Sequence, residues 1–327
     1  MDMADMLDVG SLRTWVLTDG KAGHENQSLG VADALGIQPD IIRLHPGPLN
    51  GKLAFLGAPW AVSVLPSAPY PDLLIATGNL TVPVVRYIKQ KSPHTFAVQM
   101  MRPQGPLGYF DVIAAPLHDG LRPSGRVITT LGAPNRITPE HLAANGTKWS
   151  QLLNVMPGKG LAVLVGGTSK QTRFGVAEAQ ALAQVITEKA AQLGLVPMVT
   201  TSRRTGAEAT AALRAALPGV LIWSPDDPQG LENPYQGFLA LAGAILVTVD
   251  STSMVSEACS TGVPVYVFGL GQASKMGKFS RFYKILQQQG YVFPPEAQAT
   301  QPHNPLAEAT MVAGFVRASL ARMRGAA

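Results

Sequence analysis

Short β-branched apolar runs alternate with segments of helical spacing along almost the whole chain. The runs predict strands over Thr14–Thr18, Asp40–Leu44, Leu73–Thr77, Thr95–Gln99, Asp111–Ala115 and Val127–Leu131, and then over Leu161–Val165, Val196–Thr200, Val220–Trp223, Ile245–Val249 and Val265–Phe268. A strand that feeds a helix and then a further strand pairs in parallel, with helices covering both faces of the sheet. The expected class is therefore α/β, and at 327 residues the chain exceeds what one hydrophobic core of roughly 250 to 300 residues sustains. Pro139 to Gly160 is rich in Gly, Asn and Pro punctuation, which places the linker there. Residues 1–150 and 151–327 then form two doubly wound parallel-sheet domains facing a cleft, with ligands at the carboxyl ends of strands. Pro305 to Arg324 carries Leu306, Met311, Phe315, Val316 and Leu320 at helical spacing, which predicts an amphipathic terminal helix in the second domain.

The first expected strand runs into Asp19, Gly20, Lys21, Gly23, His24 and Glu25. Gly20 and Gly23 allow a bound group to approach the backbone, Lys21 and His24 fall at a helix N-terminus that favours anions, and Asn26 or a neighbour can cap that helix. Leu29, Ala32 and Leu35 mark its apolar face and Gly36 its end. A histidine at such a place can take a proton as a general base. The loop matches neither G-x-G-x-x-G nor the Walker A pattern, so a plain strand-to-helix turn is the competing explanation.

A second loop, Gly166, Gly167, Thr168, Ser169 and Lys170, follows the strand ending at Val165. Its amides, hydroxyls and ammonium predict a diphosphate nest at a helix starting near Thr172. A third segment, VTVDSTSMVSEACSTGVPVYVF, ends a strand at Asp250 and offers Ser251, Thr252 and Ser253 as caps. Ser253 and Glu257 lie one helical turn apart, so a hydroxyl suited to phosphate stands over a carboxylate suited to ribose hydroxyls. Met254 belongs with them or packs, and Cys259 reads as an inert core thiol.

S-T-S-M-V-S-E-A-C-S-T-G-V-P-V resembles the donor-site segment of two-domain GT-B glycosyltransferases of the MurG kind, and D-G-K-A-G-H resembles their N-terminal glycine-rich loop. TDGKAGHENQSLGVADAL, TTSRRT and VTVDSTSMVSEA together more closely resemble the family named after a plant mitochondrial-fission factor, elongated mitochondria, over most of the chain. The resemblance implies a GT-B-like fold of two Rossmann-like domains, a nucleotide-sugar donor in the C-terminal domain, and no metal or other cofactor. It implies that Glu257 holds ribose, that Gly167, Thr168, Ser251 and Ser253 line the diphosphate and that Arg203 neutralises its charge, with Gly166, Ser169, Asp250 and Met254 grouped in the same nucleotide-sugar site. His24, oriented by Asp19 or Glu25, would serve the acceptor, with Gly20, Lys21 and Gly23 forming the acceptor loop. Asp19-Gly20 stands where the MurG pattern has Gly-Gly, which leaves acceptor and sugar open.

A net charge of +5 suits anionic partners, yet Lys and Arg are dispersed and aromatics make up 6% of residues, which argues against nucleic acid. One cysteine fits a reducing compartment, and the acidic N-terminus has no signal-peptide core. Leu53 to Leu65 is too short for the roughly 20 residues of a membrane span. Exposed, it would suit a lipid surface and a lipid-linked acceptor; buried, it is core. The expected location is cytoplasmic or peripheral on the inner face of a membrane. Glycosyl transfer leads, with a nucleotide-sugar epimerase or hydrolase and a non-catalytic membrane-associated scaffold as alternatives.

Overall fold

The computed structural model describes residues 9–47, 61–227, 232–298 and 300–325, and the chain divides into two compact units, Met1–Arg136 with Ala307–Ala327, and Ile137–Leu306. Unit 1 contains β1 (Thr14–Thr18), α1 (Ala22–Leu35), β2 (Asp40–Arg43), β3 (Leu73–Thr77), α2 (Thr81–Lys91), β4 (Phe96–Met100), β5 (Val112–Pro116) and β6 (Val127–Thr130). The sheet is parallel in the order β2-β1-β3-β4-β5-β6. Strand side chains alternate between two cores: Val16, Leu73 and Ile75 meet Val31, Ala32 and Leu35 of α1, while Trp15, Leu17, Leu74 and Ala76 meet Val84, Val85 and Ile88 of α2. Burial on both faces is why these runs read as continuously apolar.

Unit 2 contains α3 (Pro139–Leu153), β7 (Gly160–Val165), α4 (Val176–Leu193), β8 (Val196–Thr201), α5 (Ala207–Ala216), β9 (Leu221–Trp223), α6 (Tyr235–Leu241), β10 (Ala242–Thr248), α7 (Thr252–Cys259), β11 (Val265–Phe268), α8 (Lys278–Gln288) and β12 (Val292–Phe293). Its parallel sheet runs β12-β11-β10-β7-β8-β9. Each strand expected from the sequence is present. Strand β12 was not expected, because two residues carry no periodicity.

Three expectations are corrected. The segment read as a linker is helix α3: Thr138 Oγ1 accepts from the His141 amide at 3.2 Å, and Pro139 occupies the first turn. Trp149, buried at 2% exposure, anchors it inside unit 2, so the division falls at residues 136 and 137 and not near 150. The terminal helix, α9 (Glu308–Gly325), belongs to unit 1. Its Val312, Ala313, Val316 and Leu320 join the α1 core, Arg317 Nη2 donates to Ala34 O at 3.0 Å, and Glu308 Oε1 accepts from the Leu131 and Gly132 amides at 2.8 and 3.0 Å. Met311, expected on the apolar face, is exposed. Of the apolar stretch Leu53 to Leu65, residues 53–60 lie outside the described residues; Ala61 and Val62 are buried, and Val64 is exposed.

Candidate functional site

In unit 1 the strand order reverses between β1 and β3, and in unit 2 between β7 and β10. Ligands of doubly wound sheets bind beyond the carboxyl ends of strands at such reversals. Two clusters of polar side chains occupy these places, one in each unit.

Unit 1 carries Asp19, Gly20, Lys21 and His24 after β1. Helix α1 begins at Ala22, so Gly23, His24 and Glu25 stand in its first turn, and Lys21, not Asn26, is the N-cap residue. Gly20 has the left-handed φ of +77° expected of a turn glycine, and Gly23 does not need it. The anion at this helix start is supplied by the chain itself: Asp19 Oδ1 accepts from the Lys21 amide at 3.3 Å, and Oδ2 meets Lys21 Nζ at 2.5 Å. His24 Nδ1 lies 2.9 Å from Asp19 Oδ1. Burial alone would push the Asp19 carboxyl up, but the hydrogen bonds and charges of His24 and Lys21 outweigh it and hold the group far below the usual carboxylate range. An ionised carboxylate only accepts, so Nδ1 of His24 carries the proton and Nε2 of the neutral ring is an acceptor.

Gly78, after β3, is required by this arrangement: its φ is +94°, and a Cβ would stand 2.7 Å from His24 Nδ1. The sequence showed no signal for that role beyond a glycine at a strand end. Behind it, Ser28 and Thr77 share a buried hydroxyl contact of 2.6 Å, which ties α1 to β3. Glu25 does not orient His24. It grips Arg43 of β2 through two hydrogen bonds, at 2.8 and 3.1 Å.

In unit 2 the loop from Gly166 to Gly175 is longer than expected, because α4 starts at Val176. Glu178 Oε2 accepts from the Gly175 amide at 2.8 Å and caps that helix from within. The loop hydroxyls brace the loop. Thr168 Oγ1 bonds both the amide and the carbonyl of Phe174 at 3.1 Å, and Ser169 Oγ takes the amides of Gln171 and Thr172 at 3.1 Å and meets Thr172 Oγ1 at 2.8 Å. Lys170, Arg173, Arg203 and Arg204 are exposed cations of these loops.

Asp250, 3% exposed at the side chain, is the hub. Thr248 Oγ1 takes the Gly166 amide at 2.8 Å and donates to Asp250 Oδ1 at 2.6 Å, while Arg204 Nη2 meets Oδ2 at 2.8 Å. Arg203 is the arginine expected at the anion, but its neighbour Arg204 forms this ion pair and also donates to Thr168 O at 3.4 Å. Gly167, at φ +140°, lies so close to the Arg204 carbonyl that a Cβ would collide with it, and the Thr168 amide donates to that carbonyl at 3.1 Å. A cavity of about 30 Å³ beside Gly167, Arg173, Thr248 and Asp250 has room for one water. A larger anion must therefore approach these loops from outside.

Ser251 caps α7 through the Met254 amide at 3.4 Å, and Ser253 and Met254 are half-buried in its first turn. Glu257 is buried at 7% exposure, not solvated, and accepts from the Tyr235 hydroxyl. Cys259 is fully buried, which pushes its thiol up and leaves it unreactive, as expected.

The model of the family described as Mitochondrial fission ELM1 matches residues 22–320. The Mitochondrial fission protein ELM1 of Arabidopsis thaliana is 30% identical over 248 residues, 68% of this chain and 56% of that protein, so the chain spans little more than half of that relative's length. An uncharacterized protein of Rickettsia prowazekii is 25% identical over 297 residues, 79% of this chain and 83% of its own. Among solved structures, a proposed UDP-N-acetylglucosamine 2-epimerase from Listeria monocytogenes superposes with a TM-score of 0.53 at 13% identity, covering 96% of this chain and 97% of that one. At that identity the likeness speaks for the fold, which is of the GT-B type.

Proposed function

Since the chain belongs to the Mitochondrial fission ELM1 family and has a GT-B fold, we propose that it is a glycosyltransferase that moves a sugar from a nucleotide-sugar donor to an acceptor hydroxyl. The observation that carries this is the Asp19–His24 pair, 2.9 Å apart at the strand reversal of unit 1. Asp19 fixes the ring and its tautomer, and Nε2 accepts the proton of the attacking hydroxyl as its oxygen bonds to the anomeric carbon and the nucleoside diphosphate departs. The positive charge that forms on His24 is held by the ionised Asp19. Unit 2 binds the donor, with Glu257 toward ribose and Arg203, Lys170 and Arg173 meeting the diphosphate from the exposed side of the loops. In this reading cations and amides meet the leaving-group charge without a metal. The protein works in the cytoplasm or on a membrane surface, where a lipid-linked acceptor is one it would suit. Among the described residues no helix is long and apolar enough to cross a membrane.

A thermal-shift screen over UDP, GDP, CMP and ADP sugars tests the donor assignment, because a ligand that binds only the folded state raises its melting temperature. At least one should shift it by several degrees at saturation; no shift from any counts against the reading. With the donor known, His24→Ala should cut turnover by about 100-fold or more while the shift survives. The name of the plant relative, a mitochondrial fission protein, favours a second reading, a non-catalytic scaffold, which His24→Ala would leave functional in cells. An epimerase or hydrolase would change the sugar without any acceptor, so product analysis with and without acceptor separates it from transfer.

A further inference from the structure

Tyr235 opens helix α6, 22 residues before Glu257, and its phenol donates to Glu257 Oε2. The placement is built from three elements of unit 2. Trp149 of α3 packs so closely over Gly237 that a Cβ there would collide with the indole, and this clamps the first turn of α6. Asn233 Oδ1 takes the Tyr235 amide at 3.1 Å, which sets where the helix starts. Glu257 is presented by α7, whose start is capped by Ser251 just beyond β10, beside the strand reversal. Burial, reinforced by the facing carboxylate, pushes the Tyr235 phenol well up, so it remains a donor throughout the physiological range.

A carboxylate has about four lone-pair sites, and an unrestrained one loses rotamer freedom whenever it grips a ligand. Resting on the donor-binding reading above, we propose that Tyr235 is a positioning residue that sets sugar specificity: by fixing the Glu257 carboxylate, it makes unit 2 select ribonucleotides over 2′-deoxyribonucleotides. A fixed acceptor-only group rewards a ligand that brings two adjacent hydroxyl donors and is left under-satisfied by one that brings a single donor. Helix α3 is thereby the remote support of the selectivity.

Isothermal titration with UDP, GDP and ADP identifies the preferred base, and the tightest ligand is then compared with its 2′-deoxy counterpart on wild type and Tyr235→Phe. Wild type should prefer the ribose form by about tenfold or more, the range expected for a hydrogen bond to a charged group. Tyr235→Phe should bring the two within about twofold by weakening the ribose form alone. The 2′-deoxy affinity is the internal check on folding, because a general loss of packing would weaken both. A preference unchanged in Tyr235→Phe, a parallel loss of both affinities, or a wild type that binds nucleotide without discriminating overturns this inference alone. A wild type that binds no nucleotide overturns the donor-binding reading and this inference with it.

Discussion

Asp19 and Asp250 hold corresponding places in the two units, each just beyond one of the strands that flank a reversal of strand order, and both are nearly buried. Their partners differ. Asp19 is met by Lys21 and by His24, whose imidazole remains 21% exposed, so the pair presents a nitrogen to its surroundings. Asp250 is met by Thr248 and Arg204, and through them it fastens the ends of β7, β8 and β10 to one another. One carboxylate orients a part-exposed imidazole, and the other ties loop ends to one another. Gly78 and Gly166 face the side chains of these clusters, His24 and Asp250, whereas the next glycine of unit 2, Gly167, faces the Arg204 backbone.

The most severe test of that contrast is Gly167→Ala. The new methyl would meet the Arg204 carbonyl, which cannot turn aside, at a φ that disfavours any side chain, and a loss of roughly 3–5 kcal/mol is expected by urea denaturation. A loss under about 1 kcal/mol would mean that the unit 2 loops yield as easily as a side chain does. Asp19→Asn comes next, with an expected cost of about 1.5–3 kcal/mol at pH 7, the range of a charge-assisted hydrogen bond. Because the folded-state carboxyl is depressed, its contribution is fully present above the unfolded value near 4 and is lost progressively as pH falls from there through the far lower folded-state value. The stability gap between wild type and variant should therefore narrow steadily as pH falls below about 4, and a gap undiminished at pH 2 would assign Asp19 a role that does not need its charge. Glu25→Gln should do least. Nitrogen NMR of the His24 ring should show the same tautomer as wild type, whereas Asp19→Asn disturbs it; a change with Glu25→Gln would restore that residue as the orienting group.

How much of the site was legible varies with the distance along the chain over which each contact forms. His24 and Asp19 are five residues apart, and their pairing follows from a turn feeding a helix. The Glu25–Arg43 pair, 18 residues apart, depends on β2 lying beside β1, so the loop alone left Glu25 and Asp19 as equal candidates. Arg203 and Arg204 are indistinguishable as letters; the turn from Ser202 to Thr205, closed by Thr205 Oγ1 accepting from the Ser202 amide at 3.0 Å, aims the second toward Asp250. The loop hydroxyls Thr168 and Ser169 were read as ligand donors because a sequence does not reveal which donors the backbone has already claimed. Helix α3 is not legible along the chain because Gly146, Asn145 and a largely polar face resemble a linker, and its large buried anchor, Trp149, acts through α6.

Strand positions and the α/β class were determined by the sequence itself, because continuous apolar runs and turn residues are local and repeat wherever a strand meets a helix. Tertiary structure alone decided that the last helix returns to unit 1 through Glu308, 177 residues from the Leu131 amide it accepts, and that Glu257 is held by Tyr235. Such pairings depend on which buried polar groups find partners when the sheets close, and desolvation selects among candidates that are equivalent along the chain.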